Sequence, residues 1–140
     1  MMRIFLAESD PELRVGLQFL INQQPGIQVI GIADNGNDLP SQLVASRPDV
    51  IVLDWKLPGK PIVELLADIQ TIDLPLKIIA ISTYPQDEFE AKVAGVDIFA
   101  TKTNTPKKLI ELLGTMKSEI STTPQALPKE SDNVKKRLYI

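Results

Sequence analysis

Short apolar segments that alternate with amphipathic segments constrain the fold of this chain more than any other feature. Residues 50–53 and 78–81 are nearly unbroken apolar runs rich in β-branched side chains. Runs of this length and content are typical of strands that are buried on both faces of a parallel sheet. Weaker segments of the same kind lie at residues 3–7, 27–33 and 97–101. The sequence therefore predicts five strands.

Helical spacing of apolar residues fills the intervals between the predicted strands. Asp10 and Thr105 each precede a proline, so that a capping side chain stands before a residue suited to the first helical turn. Pro85 is expected to open the fourth helix and Gly95 to end it. Five strand–helix units predict an α/β fold with a doubly wound, five-stranded parallel sheet, right-handed crossovers and strand order 2-1-3-4-5.

The character of the sequence changes near residue 118. The chain has 140 residues, enough for one domain with a hydrophobic core. Residues 119–140 are polar, punctuated by proline and without hydrophobic periodicity, and they contain a basic cluster at 135–137. We therefore expect one domain at residues 1–118 and a polar linker or flexible C-terminal tail at 119–140, with no output domain.

Composition excludes several classes of chemistry. The chain contains no cysteine and no histidine, which excludes disulfides, thiolate or imidazole metal sites, and Ser-His-Asp catalysis. Its net charge of −3 provides no basic field for nucleic acid or anionic lipid. No apolar run approaches the length of a membrane span. We expect a cytoplasmic protein that binds neither nucleic acid nor membrane directly.

Polar residues follow the predicted strands at the points where the strands end. The carboxyl ends of parallel strands meet at one edge of a sheet, where α/β proteins place their sites. Carboxylates there can bind Mg²⁺ or act as nucleophiles, and a hydroxyl or an ammonium can hold phosphoryl oxygens. Taken singly, each of these residues also fits a cap, a turn or a solvated charge, and only their common edge favours a site. They are Glu8, Ser9 and Asp10 after the first strand, Asp54 after the third, Ser82 after the fourth and Lys102 after the fifth.

Five segments carry a resemblance to a known family. Residues 7–16, 48–59, 78–82, 94–97 and 99–102 resemble, in order and spacing, the receiver domains of two-component response regulators. The subgroup that is attached to a helix-turn-helix DNA-binding domain is the most similar one. The resemblance covers about residues 2–118 and implies a flavodoxin-like (βα)5 fold.

The resemblance also implies roles for individual residues. It implies a phosphorelay module, not an enzyme, whose partner is a histidine kinase or a phosphotransfer protein. A homodimer through the fourth helix, fifth strand and fifth helix is a further possibility. The implied roles are Asp54 as phosphoacceptor, Ser82 as the hydroxyl that moves toward the phosphoryl group, Lys102 as its pairing lysine, Phe99 as the aromatic switch, and Glu8, Asp54 and the backbone carbonyl of Lys56 as Mg²⁺ ligands.

Residue 9 departs from the family pattern, which has a second acidic residue at this position. Glu8, Asp54 and Lys102 sum to a charge of −1 alone and +1 with Mg²⁺, whereas three carboxylates with lysine and Mg²⁺ sum to zero. Ser9 is thus a doubtful ligand, and weakened Mg²⁺ binding is expected. Asp10 is expected to cap the first helix. Two hypotheses remain open: phosphorylation of Asp54 with weak Mg²⁺ dependence, and a pseudo-receiver that binds partners without phosphorylation.

Other functional classes fit the residues less well. Residues 8–11 would repel the phosphate of a flavin, and a phosphatase with an aspartyl intermediate needs an acid where Lys56 stands. No G-x-G-x-x-G motif, P-loop or helix-turn-helix is present. Among the aromatic residues, Trp55 is expected to cover the edge of the site. Packing is favoured for Phe89, and packing and partner contact are equally open for Tyr84.

Overall fold

A computed structural model describes residues 1–122 of the chain. Within them, five parallel strands form one sheet in the order β2-β1-β3-β4-β5, so the predicted α/β fold and strand order are confirmed. All five predicted strands are present, with small shifts at their ends. They are β1 (Met2–Ala7), β2 (Ile27–Ala33), β3 (Val50–Asp54), β4 (Lys77–Ser82) and β5 (Ile98–Thr101).

Five helices connect and follow the strands, and a short 3₁₀ turn at Lys102–Asn104 precedes the last of them. None of these helices is long and apolar enough to span a membrane, judged over residues 1–122. The predicted domain boundary at residue 118 falls inside the fifth helix, and the basic cluster at 135–137 lies outside the described residues. The helices are α1 (Pro11–Asn22), α2 (Leu39–Ser46), α3 (Ile62–Gln70), α4 (Asp87–Ala94) and α5 (Lys107–Thr122).

Two hydrophobic layers cover the faces of the sheet. Ile4 and Leu6 pack with α1 and α5 on one face, and Phe5 packs with α2, α3 and α4 on the other. This alternation follows from the two-residue side-chain period of a strand. Leu17 and Leu65 are almost fully buried in the two layers, and each contributes roughly 1.5–3 kcal/mol of transfer free energy. Burial on both faces explains the unbroken apolar runs in β3 and β4.

The ends of the helices test the predicted caps. The Asp10 carboxylate accepts from the first-turn backbone N–H groups of α1, at 3.0 Å from that of Glu12, which confirms the cap. The predicted cap at Thr105 is wrong, because its hydroxyl donates to the carbonyl of Thr101 at 3.2 Å instead of accepting from α5. Gly95 ends α4 as predicted and has a φ of 108°, in the left-handed region that favours glycine.

Candidate functional site

The parallel register gathers most of the predicted site residues at the carboxyl edge of the sheet. Asp54 and Ser82 are the last residues of β3 and β4. Glu8 and Lys102 directly follow β1 and β5. The register that aligns these positions pairs Ala7 with Leu53, Asp54 with Ile81, and Ser82 with Thr101.

The carboxylate of Asp54 is fully buried, and both of its oxygens accept hydrogen bonds. Oδ1 accepts from the backbone N–H of Lys56 at 2.9 Å and lies 3.2 Å from the ammonium of Lys102. Oδ2 accepts from the hydroxyl of Ser9 at 2.7 Å and from its backbone N–H at 3.2 Å. Every lone pair that faces the protein thus meets a donor, which is what a buried carboxylate requires in order to stay charged.

These contacts set the protonation state of Asp54. Burial raises the pKa of Asp54, but the hydrogen bonds from Ser9 and from the Lys56 backbone, with the charge of Lys102, outweigh burial and hold the pKa below its usual value. The side chain is therefore a carboxylate at neutral pH. An ionised oxygen at the edge of the sheet can act as a nucleophile.

The neighbouring carboxyl of Glu8 is buried as well but is less well satisfied. Its Oε2 accepts from the Lys102 ammonium and from the backbone N–H of Asp10, each at 2.9 Å. Its Oε1 is buried and has no hydrogen-bond partner among the described residues. Burial, supported by the nearby charge of Asp54, raises the pKa of Glu8 despite the contacts to Asp10 and Lys102.

Lys102 bridges the two carboxylates. Its ammonium lies 2.9 Å from Glu8 and 3.2 Å from Asp54, and its side chain is 17% exposed. Burial lowers the pKa of Lys102, but the hydrogen bond and charge of Glu8 and the charge of Asp54 outweigh burial and raise it. Lys102 is therefore a cation held between two carboxyl groups, and with both of these ionised the three groups carry a summed charge of −1.

The donor set fits a divalent cation held by few ligands. Mg²⁺ is bound in proteins by one or two carboxylates that are supplemented by water. The buried Oε1 of Glu8, which has no hydrogen-bond partner among the described residues, is a carboxylate oxygen of the kind that Mg²⁺ prefers. The carboxylate of Asp54 is close to that of Glu8, because both contact the ammonium of Lys102. Within residues 1–122, no three acidic, histidine or cysteine side chains cluster in a way that could ligate a metal. The residues therefore fit Mg²⁺ held by two carboxylates, those of Glu8 and Asp54, instead of three.

Among the predicted site residues, Ser82 and Phe99 have no hydrogen bond or ion pair with Asp54, and Glu8 is linked to Asp54 only through Lys102. The hydroxyl of Ser82 donates to the carboxylate of Asp87 at 2.6 Å and accepts from the backbone N–H of Tyr84 at 3.0 Å. Phe99 is half-buried and packs against the layer that contains α2, α3 and α4. Lys56 contributes its N–H to Asp54, and its ammonium lies 3.5 Å from Asp87.

Several functional contacts were missed by the sequence reasoning. Ser9 is a direct donor to Asp54, although its position alone marked it only as a doubtful metal ligand. The sequence analysis assigned no role to Asp87 or Glu90, yet Asp87 accepts from the hydroxyl of Ser82 and Glu90 accepts from the indole of Trp55 at 2.8 Å. Their separation of three residues, which places both on one helical face, was the available signal.

Two expectations for aromatic residues are wrong. Trp55 does not cover an exposed edge of the site, because its side chain is 1% exposed and packs in the layer formed by α2, α3 and α4. Phe89 does not pack, because it is 80% exposed on α4. Tyr84, left open between the two interpretations, is 49% exposed. Short aromatic-containing segments of this kind give no clear helical face from which burial could be inferred.

Comparison with protein families places these residues in context. The family model described as the response regulator receiver domain matches residues 4–114. The uncharacterized transcriptional regulatory protein YxjL of Bacillus subtilis is 31% identical over 113 residues, which cover 79% of this chain and 52% of that protein. The nitrate/nitrite response regulator protein NarL of Escherichia coli is 31% identical over 112 residues, with the same coverage. The chain spans about half the length of these curated relatives.

Solved structures agree with the sequence relatives. A DNA-binding response regulator of the LuxR family from Staphylococcus aureus superposes with a TM-score of 0.74 at 27% identity, and the match covers 82% of this chain and 98% of that one. A two-component response regulator of the LuxR family from Aurantimonas sp. has a TM-score of 0.74 at 26% identity, covering 81% and 83% of the two chains.

Proposed function

Because this chain belongs to the response regulator receiver-domain family, we propose that it accepts a phosphoryl group on Asp54 from a partner histidine kinase or phosphotransfer protein. One observation carries the proposal. Asp54 is an ionised carboxylate at the carboxyl edge of the sheet, and the Lys102 ammonium lies 3.2 Å from it. A nucleophile and a cation at this distance match the two needs of phosphoryl transfer, which are attack on phosphorus and stabilisation of its oxygens.

The proposed transfer uses one oxygen of Asp54. A lone pair on that oxygen attacks phosphorus, and the bond between phosphorus and the imidazole nitrogen of the partner breaks. The electron pair leaves with the nitrogen, which takes up a proton, and Asp54 becomes an acyl phosphate. Oδ2 is the oxygen that is more easily freed, because the Ser9 hydroxyl can rotate away and leave only the longer bond of 3.2 Å from the Ser9 backbone N–H. Oδ1 is held by the backbone N–H of Lys56 at 2.9 Å and by the ammonium of Lys102.

Receiver domains typically bind Mg²⁺ at acidic residues. In this chain Glu8, Asp54 and the backbone carbonyl of Lys56 would hold the ion, which would offset the negative charge of the phosphoryl oxygens. Ser9 supplies a neutral hydroxyl where a third carboxylate would stand, and Lys102 already balances one of the two negative charges. We therefore expect phosphorylation to need Mg²⁺ less strictly than in a site with three carboxylates.

The signal is proposed to leave through the surface formed by α4, β5 and α5. Ser82 would move toward the phosphoryl group, and the half-buried ring of Phe99 on β5 would follow it. Phe89 and Val93, which are 80% and 71% exposed on α4, supply apolar area for a partner or a second copy of the domain. Receiver domains are signalling modules, so the domain is proposed to act by protein contact in the cytoplasm, where kinases of this class transfer phosphate. Direct contact with nucleic acid by this chain is not part of the proposal.

One observation favours a second candidate, a pseudo-receiver that binds partners without phosphorylation. Both oxygens of Asp54 accept hydrogen bonds, and the residue has no exposed surface. A phosphoryl donor reaches Asp54 only after Ser9 has moved. In a pseudo-receiver these contacts would be permanent and would hold the loops at the edge of the sheet in one binding conformation.

Intact-mass measurement after incubation with acetyl phosphate and Mg²⁺ separates the two candidates. The first predicts the added mass of one phosphoryl group, lost in the Asp54→Asn variant and retained at reduced yield when Mg²⁺ is chelated. Exposed Asp73, changed to Asn, is the matched control and should leave labelling unchanged. An unmodified mass under conditions that label an ordinary receiver domain would overturn the first candidate and favour the pseudo-receiver.

A further inference from the structure

The hydroxyl of Ser82 is held by α4. Its oxygen lies 2.6 Å from Oδ2 of Asp87, to which it donates, and it accepts from the backbone N–H of Tyr84 at 3.0 Å. Ser82 is fully buried, and the side chain of Asp87 is 13% exposed. A short hydrogen bond to a charged acceptor in such a poorly solvated place is among the stronger ones that proteins form.

Asp87 is also tied to the loop that follows β3. The ammonium of Lys56, two residues after Asp54, lies 3.5 Å from the same Oδ2 of Asp87. One turn further along α4, Glu90 accepts from the indole N–H of the buried Trp55 at 2.8 Å. Asp87 and Glu90 are three residues apart and face the same way. The first half of α4 is thus connected by acidic side chains to the loop that follows Asp54 and to the end of the neighbouring strand β4.

The geometry points to Asp87 as a positioning residue that holds the Ser82 hydroxyl toward α4 and away from the phosphoryl site. This inference rests on the proposed function. A hydroxyl has one proton to donate, so Ser82 can bind either Asp87 or a phosphoryl oxygen on Asp54. Phosphorylation therefore competes with Asp87 for the same donor. When Ser82 turns to the phosphoryl group, Asp87 loses its donor, and the first turn of α4 loses a contact to the sheet.

The hydrogen bond between Ser82 and Asp87 opposes phosphorylation of Asp54. The bond between Ser82 and Asp87 stabilises the resting arrangement, because it exists only while the hydroxyl points to α4. A hydrogen bond to a charged group contributes enough to shift such an equilibrium by about tenfold or more. Removing the carboxylate should release Ser82 and favour the arrangement that accepts phosphate.

Labelling kinetics with acetyl phosphate and Mg²⁺ test the inference. We expect Asp87→Ala to raise the initial rate of Asp54 labelling about three- to tenfold. Glu88→Ala is the matched control, because it removes one carboxylate from the same first turn of α4 without a side-chain contact to Ser82, and it should leave the rate unchanged. Ser82→Ala abolishes the competition, so Ser82→Ala/Asp87→Ala should label no faster than Ser82→Ala alone. A gain that persists without the hydroxyl, or no gain in Asp87→Ala, would overturn the inference.

A second measurement needs no phosphorylation. In unmodified protein, the unfolding equilibria of the wild type, the two single variants and the double variant form a double-mutant cycle. We expect coupling of about tenfold between Ser82 and Asp87 in the unfolding constant, and additivity between Ser82 and Glu88. If the wild type is not labelled, the proposed function is wrong. If the cycle is additive as well, the contact between Ser82 and Asp87 contributes nothing to stability, and the inference is also wrong. If the wild type is labelled but the cycle is additive, only the inference fails.

Discussion

Residue 9 determines how the acidic edge of the sheet balances its charge. Its hydroxyl donates to Asp54 at 2.7 Å, where an acidic residue would instead add a third negative charge. Two buried carboxylates require less positive charge for balance than three would. The Lys102 ammonium lies close enough to both to supply one such charge. Because residue 9 is a serine, Lys102 supplies a larger share of the positive charge that a divalent cation would otherwise supply.

The change Ser9→Asp should strengthen Mg²⁺ binding about tenfold or more, because the number of carboxylate ligands largely sets affinity for a hard cation. Isothermal titration with Mg²⁺ measures the affinity, and the buried Trp55 next to Asp54 offers a fluorescence signal. The control Ser41→Asp adds the same charge on exposed α2 and should change little. Equal affinities of Ser9→Asp and wild type would mean that residue 9 does not face the ion.

The titration of Glu8 predicts a pH dependence of stability. Its pKa is raised above the ordinary value of 4.5, mainly by burial, so the folded state binds the proton more tightly than the unfolded chain does. The contribution of Glu8 to the free energy of unfolding is fully present below pH 4.5 and is lost as pH rises through the raised pKa. Asp54, whose pKa is lowered, acts in the opposite sense: its contribution is present above 3.8 and is lost in acid.

We therefore expect Glu8→Gln to become progressively more stable relative to wild type as pH rises above 4.5. Urea denaturation at a series of pH values measures this difference in the free energy of unfolding. Glu111→Gln, at an exposed position on α5, should track the wild type. A difference that stays constant with pH would contradict the assigned direction of the Glu8 shift.

Among the five helices, α4 has the fewest buried apolar residues. Ala91 is its only buried residue, and Phe89 and Val93 are exposed. Polar contacts to Ser82 and Trp55 hold its first half, and the left-handed turn at Gly95 ends it. An element held by few apolar contacts can shift at small cost in free energy, which suits the part of the domain proposed to pass on the signal.

Two glycine substitutions compare the end of α4 with the interior of α5. Gly95→Ala should lower the free energy of unfolding by about 1–2 kcal/mol, because its φ of 108° strains a residue with a Cβ, and the Gln70 side-chain amide would also have to move. Gly114→Ala should raise it by about 0.5–1 kcal/mol, because the added Cβ would have no atom within 4 Å apart from those of its chain neighbours and its own helix backbone, and alanine favours the helix. Chemical denaturation measures both changes, and opposite signs are expected. Stabilisation by Gly95→Ala would contradict the strain assigned to that turn.

For the whole molecule, the two hydrophobic layers are complete within the described residues. Leu109, Leu113 and Met116 on α5 close the layer that also contains α1. The last of these residues precedes the predicted boundary at residue 118. The division into a domain at 1–118 and a tail at 119–140 stays a prediction.

Removal of residues 123–140 should change the free energy of unfolding by less than about 0.5 kcal/mol, as expected for a change that leaves both layers intact. Urea denaturation of the shortened and full chains provides the comparison. Labelling of Asp54 should also be unaffected, since the hydrogen bonds and the ion pair of its carboxylate come from residues 9, 56 and 102. A loss of more than about 1 kcal/mol would show that the domain extends past α5.

The sequence by itself determined the fold and which residues lie at the acidic carboxyl edge of the sheet. Apolar runs and helical spacing are local patterns, and parallel strands fed by right-handed crossovers leave few ways to assemble them. Once that order was predicted, Glu8, Asp54 and Lys102 could be assigned to one edge of the sheet, because each stands at the carboxyl end of a strand.

Only the tertiary structure decided where the side chains point. The hydroxyl of Ser82 turns to Asp87 instead of Asp54, Ser9 donates to Asp54, and Phe89 stays exposed while Trp55 is buried. A rotamer is selected by donors, acceptors and free volume contributed by segments that are distant in the chain. Local periodicity contains no information about those neighbours, so the contacts that set charge and motion at this site arise only when the sheet is assembled.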